Sequence, residues 1–289
     1  MSDGTPRILP TPQAGTGESP TWDARAAVLW WVDIPGHLLH RTDPATNETR
    51  SWPLPEPCGS LALTRGDHLV LALRSGLHRF RPGTGELTLL AAPEPDRPMN
   101  RLNDGKVSPE GRFVVGSMND APEKAMTGGL HVLHPDGGVE RLLDALIISN
   151  GLAWSPDGRT MWHSDSRGGA IWTFDWDRRV GTLSNRRLVT SVTEAQGRPD
   201  GAATDVEGGY WSAGVTAGVL NRWLPDGTLD RVVKLPVKWP TMPCFGGPDL
   251  RTCYVTSLIR DPAAAGPDDG RIVALDLGVA GVPVARYAG

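Results

Sequence analysis

The chain has little cysteine, no basic excess and no long apolar run, and each lack removes a class of protein. Its three cysteines, Cys58, Cys244 and Cys253, have no CxxC spacing and cannot all pair, so a reducing compartment is expected. Lys plus Arg number 29 against 33 for Asp plus Glu. With no surplus to neutralise phosphates, no nucleic-acid partner is expected. Residues 1–12 lack a basic segment followed by an apolar core, and runs such as Ala26 to Val32 fall far short of the roughly 20 residues of a membrane span. A soluble cytoplasmic protein with no membrane association is therefore expected. Also missing are a G-x-S-x-G elbow and a long apolar stripe of helical period, so a serine-hydrolase turn is not indicated and helices should be few.

What is present is turn chemistry and tryptophan. Gly and Pro total 35 and 26, while 39% of residues are apolar and 11 are Trp, which argues for many short strands and tight turns rather than disorder. The segment Glu18 to Asp33 aligns without gaps on Asn150 to Asp165, with Trp22 on Trp154, Trp30 on Trp162 and Asp33 on Asp165. Related turn-then-strand copies begin near Leu63, Ser108, Thr204 and Gly247, making six. A second strand follows each copy, led by Leu39, Leu77, Leu130, Ile171, Leu220 and Ile272 at steps of 38, 53, 41, 49 and 52 residues. Further turns and strands bring each unit to about four strands. Six such units predict an all-β, six-bladed β-propeller with four-stranded blades around a central channel, forming a single domain over residues 1–289. A β-sandwich would lack the long period. The segments around Arg7-Ile8-Leu9 and Val284-Ala285-Arg286-Tyr287 are expected to close the ring by sharing one blade.

The slot held by Glu18 in the first repeat is held by Cys58, Asn103, Asn150, Asp200 and Met242 in the others. In a propeller these positions fall on the first strand of each blade and converge on the axis. Two carboxylates and two amides facing one another need water or a cation between them. An all-oxygen set suits a hard divalent ion better than a structural zinc. Asn103-Asp104-Gly105, Asn150-Gly151 and Asp200-Gly201 are also turn-forming pairs, which is the plainer reading of each alone. Glu18 is no turn former, yet it fills the same slot.

The elements Gly17-Glu18-Ser19-Pro20, Arg101-Leu102-Asn103-Asp104-Gly105-Lys106, Ser149-Asn150-Gly151-Leu152, Asp165-Ser166, Pro199-Asp200-Gly201, Cys244-Phe245-Gly246-Gly247 and the terminal Tyr287-Ala288-Gly289 resemble the regucalcin and gluconolactonase family of sugar lactonases. The resemblance runs from about residue 8 to the C-terminus in the family's order. It implies one divalent ion (Ca²⁺, Mn²⁺, Fe²⁺, Mg²⁺ or Zn²⁺) held by Glu18, Asn150 and Asp200, with Asp200 also the general base. It further implies that Arg101 and Asn103 contact sugar hydroxyls. After Met118, where the family often has Ala-Glu-Glu, this chain has Asn119-Asp120-Ala121-Pro122-Glu123. Asp120 is taken as a third substrate-binding residue, with Asn119 and Glu123 as the alternatives.

The expected function is metal-dependent opening of an aldonolactone (xylono-, arabinono- or gluconolactone) by a monomer whose partner is the small-molecule lactone. The metal would polarise the carbonyl and Asp200 would move the proton. The alternatives are an esterase or phosphotriesterase on the same site and a non-catalytic calcium-binding propeller. His163 is read as a structural strand residue or a substrate contact. Most tryptophans are read as blade packing, and Trp239 as the one nearest the channel mouth.

Overall fold

Short runs rich in Val, Leu and Trp, punctuated by Gly and Asp turns, fold into 24 strands grouped as six four-stranded sheets. This computed structural model describes residues 5–289, so Met1–Gly4 of the expected single domain lie outside the described residues. All six sheets are antiparallel, and five of them are simple meanders. Their innermost strands are Gly17–Asp23, Cys58–Leu63, Asn100–Val107, Ser149–Trp154, Pro199–Thr204 and Pro240–Gly246, which open blades one to six in that order. These strands neighbour one another in a closed ring, so the chain is a six-bladed β-propeller, as its repeats predict. The one helical element among the described residues is the three-residue 3-10 turn Pro262–Ala264. No helix is long and apolar enough to cross a membrane.

The blades adhere through apolar faces that a lone sheet would leave wet. Between blades one and two, Trp30, Trp52, Leu61 and Leu71 share one cluster. Between blades four and five, Trp162 stacks on Tyr210 with centroids 4.5 Å apart. Trp31 donates from Nε1 to Thr42 at 3.0 Å, which satisfies its polar edge within a fully buried site. Most tryptophans thus pack blades. Trp172 is partly buried under the Arg186 guanidinium, 3.7 Å from its ring centroid.

Closure is only half as the sequence predicts. Arg7–Leu9 pairs with Ile272–Asp276 as the outer strand of blade six, so the last sheet is completed by the start of the chain. The Val284–Tyr287 segment does not join that blade. Tyr287 bonds instead through its N–H to Leu63 O at 2.8 Å and through its hydroxyl to His134 O at 2.7 Å. The tail crosses one end of the channel, where Leu63, Ala153, Ala203 and Phe245 together with Pro283, Val284 and Ala285 line a cavity of about 120 Å³. That end is apolar and needs a cover. Pro283 cannot donate to a ladder, and the tail serves as a cap rather than a strand.

Candidate metal and substrate site on the channel axis

Every inner strand breaks register just where its slot residue stands. The shifts fall between Glu18 and Thr21, Cys58 and Ser60, Leu102 and Gly105, Asn150 and Ala153, Pro199 and Ala202, and Pro240 and Pro243. A bulge inserts a residue and re-aims the side chains around it, which frees the polar slot side chains from the blade packing, while Cys58 stays in the apolar cluster between blades one and two. The bulges need unusual backbone. Ser19 has φ 51° and Gly151 φ 67°, and a Cβ on Gly151 would collide with the Tyr210 hydroxyl and Ser164 Oγ.

The bulges are stitched from blade to blade. Ser19 Oγ accepts from Leu61 N at 3.0 Å, Ser60 Oγ donates to Asn103 O at 2.7 Å and Tyr210 donates to Gly151 O at 2.8 Å. Thr241 joins the last blade to the first by donating to Gly17 O at 2.5 Å. The ring of slots is tied by hydrogen bonds to backbone partners in other blades.

Four predicted residues meet in one hydrogen-bonded chain. Arg101 donates to Asn103 Oδ1 at 2.7 Å, Asn103 Nδ2 donates to Asn150 Oδ1 at 3.0 Å, and Asn150 Nδ2 donates to Asp200 Oδ1 at 2.7 Å. Asn150 also donates to Ser166 Oγ at 2.7 Å. Glu18 is buried, accepting at Oε2 from Ser19 N at 2.9 Å. Burial pushes Glu18 well above the usual carboxylate range, and the charges of Asp200 and Asp104 push it further. Burial, then Asp104, pushes half-buried Asp200 up to about 7.

Asp120 lies beside Arg101, whose Nε is 3.2 Å from its Oδ1, and it also pairs with Arg74 and Lys124. These cations outweigh burial and hold its carboxyl below the usual range. Asn119 is spent on a turn, accepting from Ala121 N at 3.0 Å, and Glu123 is exposed. Of the three polar candidates, only Asp120 adjoins Arg101. His163 is buried and bonded to Ser149 Oγ at 2.9 Å, a structural place. Trp239 is half-buried under the Arg260 guanidinium, 4.9 Å away.

Two charged residues were missed. Asp104 is buried, accepts from Leu152 N at 3.1 Å through Oδ2, and leaves Oδ1 without a partner. Lys106 donates across the channel to Ala202 O, and burial pulls its ammonium down against the opposing pull of Asp104. Both stand inside the quoted Arg101-to-Lys106 motif, where strict alternation would send Asp104 the opposite way from Asn103. The register shift between Leu102 and Gly105 removes that alternation, and the Asn-Asp-Gly triplet was its only sequence signal.

The donor set fits a divalent cation. The carboxylates of buried Glu18 and half-buried Asp200 repel each other, the Asn150 amide is bonded to Asp200, no imidazole stands among the slots, and burial keeps the Cys58 thiol protonated. Among the described residues no three His, Cys, Asp or Glu side chains form a metal cluster, so amide or backbone oxygens would complete the shell. Asn150 here offers Asp200 its nitrogen, and a ligand role requires its Oδ1 to turn from Asn103 to the ion.

The chain is similar to several known proteins over most of its length. Residues 16–259 match the model of the SMP-30/Gluconolactonase/LRE-like region. Regucalcin of Xenopus laevis is 38% identical over 283 residues, covering 94% of this chain and 95% of that protein. The 6-deoxy-6-sulfogluconolactonase of Pseudomonas putida is 36% identical over 279 residues, with 94% and 95% covered. The crystal structure of regucalcin from Agrobacterium tumefaciens, a calcium-binding protein, superposes with a TM-score of 0.91 at 29% identity, over 98% of this chain and 97% of that one.

Proposed function

The chain belongs to the SMP-30/gluconolactonase/LRE-like family, and from that premise we propose that it hydrolyses sugar lactones with one divalent cation held by Glu18, Asn150 and Asp200. The observation that carries this reading is the pair of carboxylates of Glu18 and Asp200, both raised by burial and like charge, beside the Arg101–Asn103–Asn150 chain. A polar constellation gathered at such cost is a site rather than a core. The name of the Pseudomonas relative, a lactonase, supports the reaction class.

When bound, the cation supplies Lewis-acid polarisation of the lactone carbonyl. Arg101 has donors and no lone pair, so it serves substrate oxygens and Asp120. Asp120, held as a carboxylate by Arg74, Arg101 and Lys124, serves substrate by fixing the Arg101 fork. Asp200 takes a proton from water as the water oxygen adds to the carbonyl carbon. The ring C–O bond then breaks and that proton passes to the ring oxygen, so lactone plus water becomes a hydroxy acid.

The test is acid release from a panel of aldonolactones by protein stripped of metal and then reloaded with single divalent ions. Turnover that disappears on stripping and returns on reloading is expected. Full turnover with no metal by elemental analysis overturns the metal reading. The Agrobacterium neighbour, a calcium-binding protein, favours one second reading, a non-enzymatic calcium binder. Calcium uptake without hydrolysis of any lactone would select it.

A further inference from the structure

The end of the molecule that the tail caps holds a cavity of about 740 Å³, which the proposed chemistry does not use. That volume lies within the roughly 300–1,000 Å³ of small-molecule sites. The cavity opens between blades six and one. Trp22 lines it four residues beyond Glu18 on the same inner strand, a separation on the order of 13 Å.

Two stacked rings form part of its wall. Trp22 and Tyr254 have centroids 5.7 Å apart and planes 18° apart. A Cβ on Gly246 would stand 2.7 Å from Trp22 Cδ2 and 2.8 Å from Tyr254 Cε2, so both rings rest on bare glycine backbone. Ala24, Ala27, Pro44 and Leu250 extend the apolar lining, and the tail closes one side with Pro283 and Val284. Tyr254 is 4% exposed, yet its hydroxyl makes no hydrogen bond among the described residues. A buried phenol ordinarily finds a partner.

Three arginines line the same cavity, and direct contacts place them. Arg7, Ala274 and Tyr254 are partners in register across three strands of blade six. Their side chains therefore share one face, with the Arg7 backbone about 10 Å from that of Tyr254 and only the methyl of Ala274 between. Arg25 and Arg286 meet at the end of blade one. The Arg25 guanidinium donates to Arg65 O at 3.0 Å and that of Arg286 to the adjoining Thr64 O at 2.9 Å. Asp23 accepts from Arg25 N at 2.9 Å and also from Arg286 Nη2, and its carboxylate is ion-paired to Arg286 alone. Asp43, in the next turn, accepts from Ala45 N at 2.8 Å. Among the described residues Arg7 and Arg25 make no ion pair, and no carboxylate lines the cavity.

We propose that this cavity is a second ligand site, separate from the channel mouth, for a small aromatic carboxylate. The flat apolar body packs against Trp22, Tyr254 and Val284. The carboxylate takes hydrogen bonds from the Arg7 and Arg25 guanidiniums, with the Tyr254 hydroxyl as a further donor. A neutral ring of the same shape gains the packing and leaves both cations unpaired. Because Val284 and Arg286 belong to the tail, an occupied site ties the cap to blades six and one. The site stands on the cavity and its arginines, and requires no step of the lactonase reading.

The experiment titrates the chelated full chain with 2-naphthoate, 2-naphthylmethanol and cyclohexanecarboxylate by calorimetry. One site per chain is expected for 2-naphthoate, at least about tenfold tighter than for the alcohol, with the difference shrinking as salt rises. Cyclohexanecarboxylate, which cannot stack, should bind more weakly than 2-naphthoate. Arg7→Gln and Arg25→Gln, both at exposed side chains, should each weaken 2-naphthoate by about threefold to tenfold, and Tyr254→Phe by about threefold. Ala45→Trp, at an exposed lining position, should fill the cavity and abolish binding, together with the rise in melting temperature that 2-naphthoate gives the unmodified chain. Arg101→Ala, at the channel mouth, should leave the affinity unchanged. No saturable binding, equal affinity for acid and alcohol, or an affinity that Arg7→Gln and Arg25→Gln leave unmoved overturns the proposal. Binding lost in Arg101→Ala and kept in Ala45→Trp would place the acid at the mouth, and overturns it as well.

Discussion

Blades one, three, four and five bring Glu18, Asn103, Asn150 and Asp200 to the axis, while blades two and six bring Cys58 and Met242 to the same slot. All six carry the bulge. Cys58 is fully buried, its thiol pushed up to about 12 chiefly by that burial, and Met242 is 1% exposed. The backbone device is therefore a property of the fold, and the oxygen donors are an addition on part of the ring. The two apolar slots stand in the blades on either side of Glu18, with Cys58 in the cluster between blades one and two. The other four slots are polar, and ionised groups there pay for burial unless a counter-ion is present.

The largest effect expected from breaking this contrast is on the polar side. Asp200→Asn keeps a carbonyl oxygen for the ion and removes the base, so kcat should fall by about 10² to 10⁴ at saturating metal. Glu18→Gln removes equal charge without touching that base, and at matched occupancy it should lose much less. Equal losses in steady-state assays would make Asp200 a ligand only. Arg101→Ala should raise KM more than it changes metal content, read by elemental analysis beside kinetics. Metal loss from the folded variant would reassign Arg101 to ligand positioning.

Next in size is the bulge itself. Gly151→Ala puts a Cβ at φ 67° against Tyr210 and Ser164, and should cost at least about 2 kcal/mol of stability. Denaturant unfolding would measure it, and a cost near zero would mean that the bulge relaxes freely.

Acid and alkali sharpen the comparison between axis and blades. His40 and His163 are held down to about 4, chiefly by burial. Their unfolded forms take protons first, so their stability contribution is complete above about 6.5 and is lost as pH falls toward 4. The expected slope is about 1.4 kcal/mol per pH unit for each. Asp200 has the reverse sign. Raised to about 7, it stays protonated in the metal-free fold while the unfolded chain has ionised. Its contribution is complete below the ordinary carboxylate range and is lost as pH rises through about 7. Melting temperatures of chelated protein should fall toward both extremes, and added divalent ion should rescue only the alkaline side. The smallest effect belongs to Cys58→Ser, which keeps a donor for Ser60 O, now 3.3 Å from the thiol. It should cost no more than about 1 kcal/mol and leave metal loading unchanged. Failure to load metal would make Cys58 a ligand.

Blade number, strand order and slot identity were legible because they recur. A turn followed by a short apolar strand, six times over, is a local pattern that survives without knowing any contact. The closing strand Arg7–Leu9 was legible for the same reason, since a propeller requires one. The tail at Val284–Tyr287 was not. Its place depends on an apolar channel end that exists only when six blades have assembled, and an irregular segment carries no period to betray it.

What the sequence by itself determined is the ring: six four-stranded units and the residues at their first strands, because hydrophobic alternation and turn chemistry act over a few residues. What only the tertiary structure decided is which neighbours those residues meet. Asp104 turns inward beside Asn103 because a bulge cancels the two-residue alternation. Lys106 reaches Ala202 across the channel, and Asp120 gathers three cations from two blades. Such pairings join residues up to 96 positions apart, and no local pattern encodes them. They arise when closure of the ring brings distant strands within hydrogen-bond reach, and with that burial come the raised carboxylates on which the proposed chemistry depends.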